Sequence, residues 1–240
     1  MKINGVDILE YGAKQWNVSM SYVSVKNDSE FLNDALVPYL AIGAIGMKKI
    51  KVSVLIQGSS RKEIWKNGSR LIFNLLKPAI VELKGFTNKF HVVLTNADQV
   101  ETSIERWHKA TLELTGYEFG EEENVTLCGK KEFFVDNPGS LETPMRVELL
   151  PRQDTSELII KGICRAGSLN KERDIKVKNL KENEAIIIDW KTGLIQTVNG
   201  ESRFSNVEFW GFPSLLPGSN YVELSTDTVD ITLQFNPLFM

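Results

Sequence analysis

Ala185-Ile-Ile-Ile-Asp-Trp-Lys-Thr-Gly-Leu-Ile-Gln-Thr-Val198 sets two short apolar runs around a turn. Ala185–Ile188 and Leu194–Val198 are rich in β-branched residues and read as strands. Between them, Asp189-Trp-Lys-Thr-Gly193 supplies an Asp to accept turn N–H bonds and a Gly to take φ > 0, so the segment reads as a hairpin. The same pattern continues in both directions. Arg146–Leu150, Leu158–Gly162, Ile175–Val177, Val207–Trp210, Tyr221–Leu224 and Val229–Phe235 are short Val-, Ile- and aromatic-rich runs. Asn199-Gly200 and Pro213-Ser-Leu-Leu-Pro-Gly218 punctuate them. Strands spaced ~8–12 residues apart with no helical period predict a β-sandwich or jelly-roll-like layer pair.

Upstream the pattern changes. Asp136-Asn-Pro-Gly-Ser-Leu-Glu-Thr-Pro144 is turn-forming and poor in core residues, so it is the expected domain boundary. The expected organisation is an N-terminal domain over residues 1–135, a linker over 136–144 and a C-terminal sandwich over 145–240. The first part mixes strands with one helix. Asn4-Gly5 inside Lys2–Ile8 is the dipeptide of a type I′ hairpin. Trp16, Val18, Met20 and Tyr22 alternate with polar residues and predict a strand with one buried face, as do Ile50, Val52, Val54 and Ile56. Ser60-Arg-Lys-Glu63 has capping-box spacing. Ile64, Leu71 and Leu75 then share a helical face, with Phe73 and Leu76 also apolar, and the helix is expected to end at Lys77-Pro78. Strands resume at Ala79–Leu83, Phe90–Thr95, Ile104–Thr115 and Val125–Val135. The expected class is mainly β with one helix: an α+β N-terminal domain and a galectin-like or carbohydrate-module-like C-terminal sandwich.

Composition narrows the function. The 240 residues are 42% hydrophobic and 25% charged, ordinary for a globular chain and unlike a disordered or collagen-like one. No apolar run approaches the ~18 residues of a membrane helix. Met1-Lys-Ile-Asn-Gly-Val-Asp7 places polar residues where a signal peptide needs an apolar stretch, which argues against that export route. The net charge of −3 leaves no basic footprint for gripping a phosphate backbone. Lacking an export signal, four Asn-X-Ser/Thr tripeptides (Asn17, Asn27, Asn67, Asn124) carry no weight.

Residues for catalysis are scarce. Cys128 and Cys164 are far apart and outside any CxxC spacing; they read as reduced, buried small side chains. With two histidines, His91 and His108, both expected on partly exposed strand positions, neither a Ser-His-Asp triad nor a metal cluster has enough members. Asp189 follows Ile186-Ile-Ile188, but the hairpin turn accounts for it better than a carboxylate pair does. No GxGxxG or P-loop is present. The chain is therefore expected to be no enzyme, with no cofactor and no metal. Trp190, Phe209, Trp210 and Phe212 could form a sugar-stacking platform or serve as core and turn anchors. Alternation buries one of Phe209 and Trp210 and exposes the other. Trp190 and Trp210 are the candidate glycan contacts.

One segment is too apolar for a loop. Lys26–Met47 carries Phe31, Leu32, Leu36, Tyr39, Leu40, Ile42, Ile45 and Met47 between two strands. Such an arm must be covered, either by its own domain or by a neighbouring subunit, at ~25 cal/mol per Å² of apolar area buried.

The progression Glu184-Ala-Ile-Ile-Ile-Asp189, Gly193-Leu194, Asn199-Gly200 and Phe212-Pro-Ser-Leu-Leu-Pro-Gly-Ser-Asn220, after an N-terminal hairpin, arm, strand and helix, resembles the distal tail proteins (Dit) of long-tailed phages that infect Gram-positive bacteria. The resemblance spans essentially the whole chain. It implies an N-terminal domain that assembles into a hexameric ring, an arm that wraps the adjacent protomer, and a C-terminal sandwich projecting outward. Phe31, Leu32, Leu36, Tyr39, Leu40 and Ile42 then become candidate oligomer contacts. The implied partners are the tail tube protein, a tail-associated lysin and receptor-binding protein, with DNA merely passing through the lumen and no membrane. The implied location is the virion tail, of a phage or prophage, assembled in the host cytoplasm. The alternative is a carbohydrate-binding module that recognises cell-wall glycans.

Overall fold

The structure, a computed structural model, describes residues 1–22, 25–30, 39–101, 106–166 and 171–240; side chains of 25–30, 39–45, 99–101, 166 and 171 lie outside the description. The chain divides into two units, Met1–Phe119 with Met240, and Gly120–Phe239.

The first unit begins with the expected hairpin. β1 (Lys2–Ile3) and β2 (Val6–Asp7) flank Asn4 and Gly5, both at positive φ, 49° and 83°. A 3-10 turn at Ile8–Tyr11 leads into β3 (Ala13–Met20). β4 (Val25–Glu30) and β5 (Tyr39–Ile45) follow, then β6 (Lys48–Gln57), α1 (Arg61–Phe73), β7 (Ala79–Glu82), β8 (Lys89–Glu101) and β9 (Trp107–Phe119). One antiparallel sheet runs β2-β1-β7-β8-β9-β6-β3. Period two decides its buried face: Ile50, Val52, Val54 and Ile56 on β6 stand opposite Leu114, Leu112, Ala110 and His108 on β9, all buried. α1 lays Ile64, Gly68 and Leu71 into this core, with Leu75 just beyond its end. Each fully buried Leu or Ile contributes roughly 1.5–3 kcal/mol.

Three local expectations change here. The alternation at Trp16–Tyr22 does not bury one whole face: the β3–β6 register shifts between Gln15 and Asn17, and Trp16 is 68% exposed, as is most of Tyr22. An extra residue in one strand of a pair turns its side chain out of the alternation. Val18 and Met20 keep their contact with the core. The helix stops at Phe73, short of Lys77, because Asn74 caps it and its Nδ2 donates to the Arg70 carbonyl at 2.7 Å. Within the arm of 26–47, β4 and β5 form a two-stranded sheet that pairs Val25 with Ile45 and Glu30 with Tyr39.

The second unit is the expected sandwich. β10 (Glu123–Leu127), β11 (Glu132–Asn137), β12 (Thr143–Pro151), β13 (Thr155–Lys161), the short pair β14 (Arg165–Ala166) and β15 (Lys171–Glu172), β16 (Ile175–Leu180), β17 (Ile186–Asp189), β18 (Leu194–Thr197), β19 (Val207–Glu208), β20 (Ser214–Leu215), β21 (Gly218–Leu224) and β22 (Val229–Phe235) build it. One sheet runs β10-β22-β12-β17-β18, with β20 on β12; the other runs β11-β21-β13-β16-β19. Met145, Val147, Leu149, Ile186, Ile188, Ile231 and Leu233 of the first sheet share one core with Val135, Leu158, Ile160, Ile175, Val177, Val222 and Leu224 of the second.

The domain boundary moves. Glu123–Leu127 pairs with β22 and Glu132–Asn137 pairs with β21, so residues 123–137 belong to the sandwich and the division falls at Phe119/Gly120. The Pro/Gly-rich run 136–144 is no linker. It is where the chain leaves one sheet and enters the other, and a sharp crossing needs the same turn residues that a linker does.

Candidate functional site

The crossing is tied by a buried amide. Asn137, 1% exposed, donates to the Leu141 carbonyl (3.3 Å), Thr143 Oγ1 (3.2 Å) and the Leu215 carbonyl (3.2 Å), and its Oδ1 accepts from Gly139 N–H (3.0 Å). Asn220 does the same for Phe212–Asn220. It accepts from Leu216 N–H at 2.8 Å and donates to the Leu216 and Gly218 carbonyls at 2.8 and 2.9 Å. Gly218 takes the positive φ of 82° that the turn requires. Asp189 Oδ1 accepts from Lys191 N–H at 2.8 Å and Gly193 N–H donates to the Asp189 carbonyl at 3.0 Å, as the hairpin reading requires. Of the residues that carry the family resemblance, Asp189, Gly193, Gly218 and Asn220 are thus turn supports, while Ile186 and Ile188 lie in the sandwich core.

The candidate contacts fall in different places. Phe31, Leu32 and Leu36 lie outside the described residues. Tyr39, Leu40 and Ile42 sit on β5, in register with Glu30, Ser29 and Asn27 of β4. Trp190, partly exposed, occupies the 189–193 turn, whereas Trp210 is 75% exposed with the Arg173 guanidinium 5.6 Å from its ring centre. No ring contact joins the two tryptophans among the described residues. Phe209 packs on the core beside Phe204 and Phe212, so the alternation at 209–210 resolves with Trp210 outward.

Other polar groups behave structurally. His108 is buried on β9 against the edge of Trp65, not partly exposed as expected, because its position shares parity with Ala110 and Leu112. His91 stacks on Tyr117 at 5.3 Å, and burial pushes the Tyr117 phenol up. Cys164 is buried, its thiol pushed up by desolvation, while Cys128 is exposed, against expectation. Lys48 is buried beside Glu118, which also accepts from Asn88 Nδ2 at 2.8 Å. Among the described residues, no group of three or more His, Cys, Asp or Glu is placed to hold a metal ion.

A surface feature that motif reading did not single out lies on α1. Lys66, Ser69, Arg70 and Phe73, spaced i, i+3, i+4, i+7, share the face away from Ile64, Gly68 and Leu71. With Tyr11 and Asn74 they line an open groove of about 670 Å³. Arg70 lies 5.6 Å from the Tyr11 ring centre. Among the described residues, neither Lys66 nor Arg70 reaches a carboxylate within 4 Å. Phe73 is 72% exposed and Leu76 67% exposed. Sequence did hold a signal: Phe73 is an aromatic off the Ile64–Leu71–Leu75 face.

Two antiparallel β-rich units, the first carrying a single helix among its described residues and the second a sandwich, make up the described chain. Over 100% of this chain and 98% of the other, the structure superposes on SPP1 Dit, a phage protein described as a paradigm of the hub adsorption apparatus in phages infecting Gram-positive hosts, with a TM-score of 0.78 and 14% identity. It also resembles the phage p2 baseplate in its activated conformations with calcium and with strontium, at TM-scores of 0.51 and 0.50 and 10% identity, covering 95% of this chain and 92% of that one. At these identities the likeness is one of fold. No curated protein matches the sequence. Residues 115–235, just over half the chain, match the family model described as phage tail C-terminal domain, and the chain belongs to that family.

Proposed function

We propose that this chain is a distal tail protein, the structural hub of a phage tail tip, with six copies closed into a ring. The observation that carries the reading is the end-to-end likeness to SPP1 Dit, over 100% of this chain and 98% of the other. In the proposed role the ring joins the tail tube to a tail-associated lysin and receptor-binding components, in the virion tail, after assembly in the host cytoplasm. The role is architectural and needs no reaction centre.

The physical support is the hairpin of β4 and β5. A two-stranded hairpin alone is marginal in water. β5 reads Tyr-Leu-Ala-Ile-Gly-Ala-Ile, with no charged residue at either parity, so neither of its faces suits water. A heterologous contact repeated around a cyclic axis gives such a strand cover and closes the assembly. Negative-stain imaging of the purified chain, alone and with its tail partners, tests the reading. Sixfold rings are expected; isolated particles of one copy under every condition would refute it.

A second reading, glycan recognition, is favoured by Trp210, whose exposed ring beside Arg173 suits stacking on a sugar face. A glycan array with the full chain and with Trp210→Ala tests it. Binding lost in the variant supports it; no binding by the unaltered chain removes it.

A further inference from the structure

We infer that the outer face of the β10-β22-β12-β17-β18 sheet binds an uncharged glycan, with Arg146 at the centre of the contact. The inference rests on the second reading, glycan recognition, and deepens it by naming a sheet face other than the surroundings of Trp210 and the class of sugar that fits it.

Strand register brings the residues together. Met145, Val147 and Leu149 of β12 point into the core, so Arg146 and Glu148 between them point outward. Arg146 stands opposite Gln234 of β22 on one side and Asp189 of β17 on the other. Glu148 stands opposite Ile187 of β17, which in turn stands opposite Gln196 of β18. Residues directly opposite in an antiparallel pair share a face, with Cβ atoms ~5 Å apart. From Gln234 to Gln196 the patch crosses three strand spacings, ~14 Å. Ile187, 8% exposed, is its apolar floor, and the half-exposed Trp190 follows Asp189 at the end of β17.

The donors of this patch are unused. The Arg146 Nε is sealed from solvent and has no hydrogen-bond partner. Glu148 Oε2 lies 3.7 Å from its Nη2, an ion-pair distance too long for a hydrogen bond. Asp189 commits Oδ1 to Lys191 N–H, which leaves Oδ2 for a ligand. Buried polar groups are nearly always paired, so an orphaned one needs a reason. Arg203 also has an unpaired buried Nε, but its Nη2 donates to Glu184 at 2.6 Å and the guanidinium is held within the fold. Arg146 has no such anchor.

The chemistry of the face selects the ligand. On the other sheet, lysines and carboxylates lace the surface: Lys161 pairs with Glu223 at 3.0 Å, and Lys178 pairs with Glu208. The outward positions of β12, β17, β18 and β22 carry no lysine; amides, carboxylates and one guanidinium stand there instead. A planar fork loses less freedom per hydrogen bond than a lysine does. A sugar hydroxyl both donates and accepts. It can accept from the Arg146 fork and give its own proton to Glu148 or Asp189. Two carboxylates around one cation repel an anion, so the fit is to a neutral sugar. A protein partner fits poorly, because the centre of a protein interface is depleted in charged residues.

The test uses the full chain and a panel of neutral oligosaccharides, the tetramers of glucose, galactose and N-acetylglucosamine, with poly(glycerol phosphate) as the anionic counterpart. Calorimetric titration should show at least one neutral tetramer binding. Arg146→Lys keeps the charge and loses the fork; it should weaken that binding at least ~10-fold, as should Glu148→Ala. The same tetramer with a diazirine at its reducing end should crosslink to β12, β17, β18 or β22 of the unaltered chain, a measurement that needs no variant to fold. Crosslinks confined to other segments would overturn the inference, as would binding by poly(glycerol phosphate) alone. Binding lost in Trp210→Ala but kept in both Arg146→Lys and Glu148→Ala leaves the glycan reading standing and sinks only this site. No binding to any member of the panel removes the glycan reading and the inference together.

Discussion

Truncating Asn137 separates the observed crossing from the linker that the sequence suggests. In Asn137→Ala the Gly139 N–H loses the amide oxygen that holds it, while the Leu215 carbonyl keeps its ladder pairing with Thr143 and the Leu141 carbonyl keeps Thr143 Oγ1, at 3.1 Å. An unsatisfied buried group costs about 1–3 kcal/mol, so the one orphaned donor gives roughly 2 kcal/mol. The loss falls on the second unit, because β11 and β12 belong to its two different sheets. Native-state hydrogen exchange read by mass spectrometry localises it. At one decade per 1.4 kcal/mol, amides in Thr143–Pro151 and Gly218–Leu224 should exchange roughly 30-fold faster. Amides in β6 and β9 of the first unit should be unchanged and serve as the internal control. A substitution in a solvated linker shifts stability by less than ~0.5 kcal/mol. Exchange altered by less than about threefold in those strands would refute the assigned role of Asn137.

Further expectations concern packing and charge. Gly162 has φ of 90°, and a Cβ there would stand 2.0 Å from the Tyr221 carbonyl oxygen, so Gly162→Ala should lower stability by about 3 kcal/mol or more, visible as a lower Tm in thermal unfolding. Lys48→Ala strands Glu118 with Asn88 as its remaining partner and should cost roughly 2–4 kcal/mol in urea unfolding, whereas Lys48→Met with Glu118→Gln should recover part of that loss. The Ser59 hydroxyl and N–H hold the Glu63 carboxyl below its ordinary value of 4.5. A carboxyl depressed in the folded state adds stability above its unfolded value and loses it as pH falls through the folded one. Amides at the start of α1 should therefore exchange faster, relative to the intrinsic rate, as pH falls below the ordinary 4.5 and through the depressed folded value, and Glu63→Gln should flatten that dependence.

Much of the architecture could be read from residue order because period and turn chemistry agree with each other. Asn4-Gly5, Ser60 with Glu63, the Asp189–Gly193 turn and the strands from Arg146 onward all appear where local physics puts them. The capping box is altered by one step: Ser60 Oγ accepts from Glu63 N–H, while Glu63 reaches back to Ser59. What failed depended on tertiary context. The Pro/Gly run after Asp136 has the composition of a linker, and only the pairing of β11 with β21 shows it to be a crossing. The bulge that turns Trp16 outward leaves no mark in an alternating pattern. His108 shares parity with core residues, a signal that the charged neighbours Glu105, Arg106 and Lys109 obscured. The arm's need for cover was legible from its composition, whereas the basic groove required knowing which residues of α1 share its outer face.

Light scattering coupled to size exclusion measures the central claim in one number. Six copies of 27.1 kDa should give a particle of about 163 kDa at high protein concentration, falling toward the protomer mass on dilution. A constant 27.1 kDa at every concentration, with tail partners present, would contradict the account.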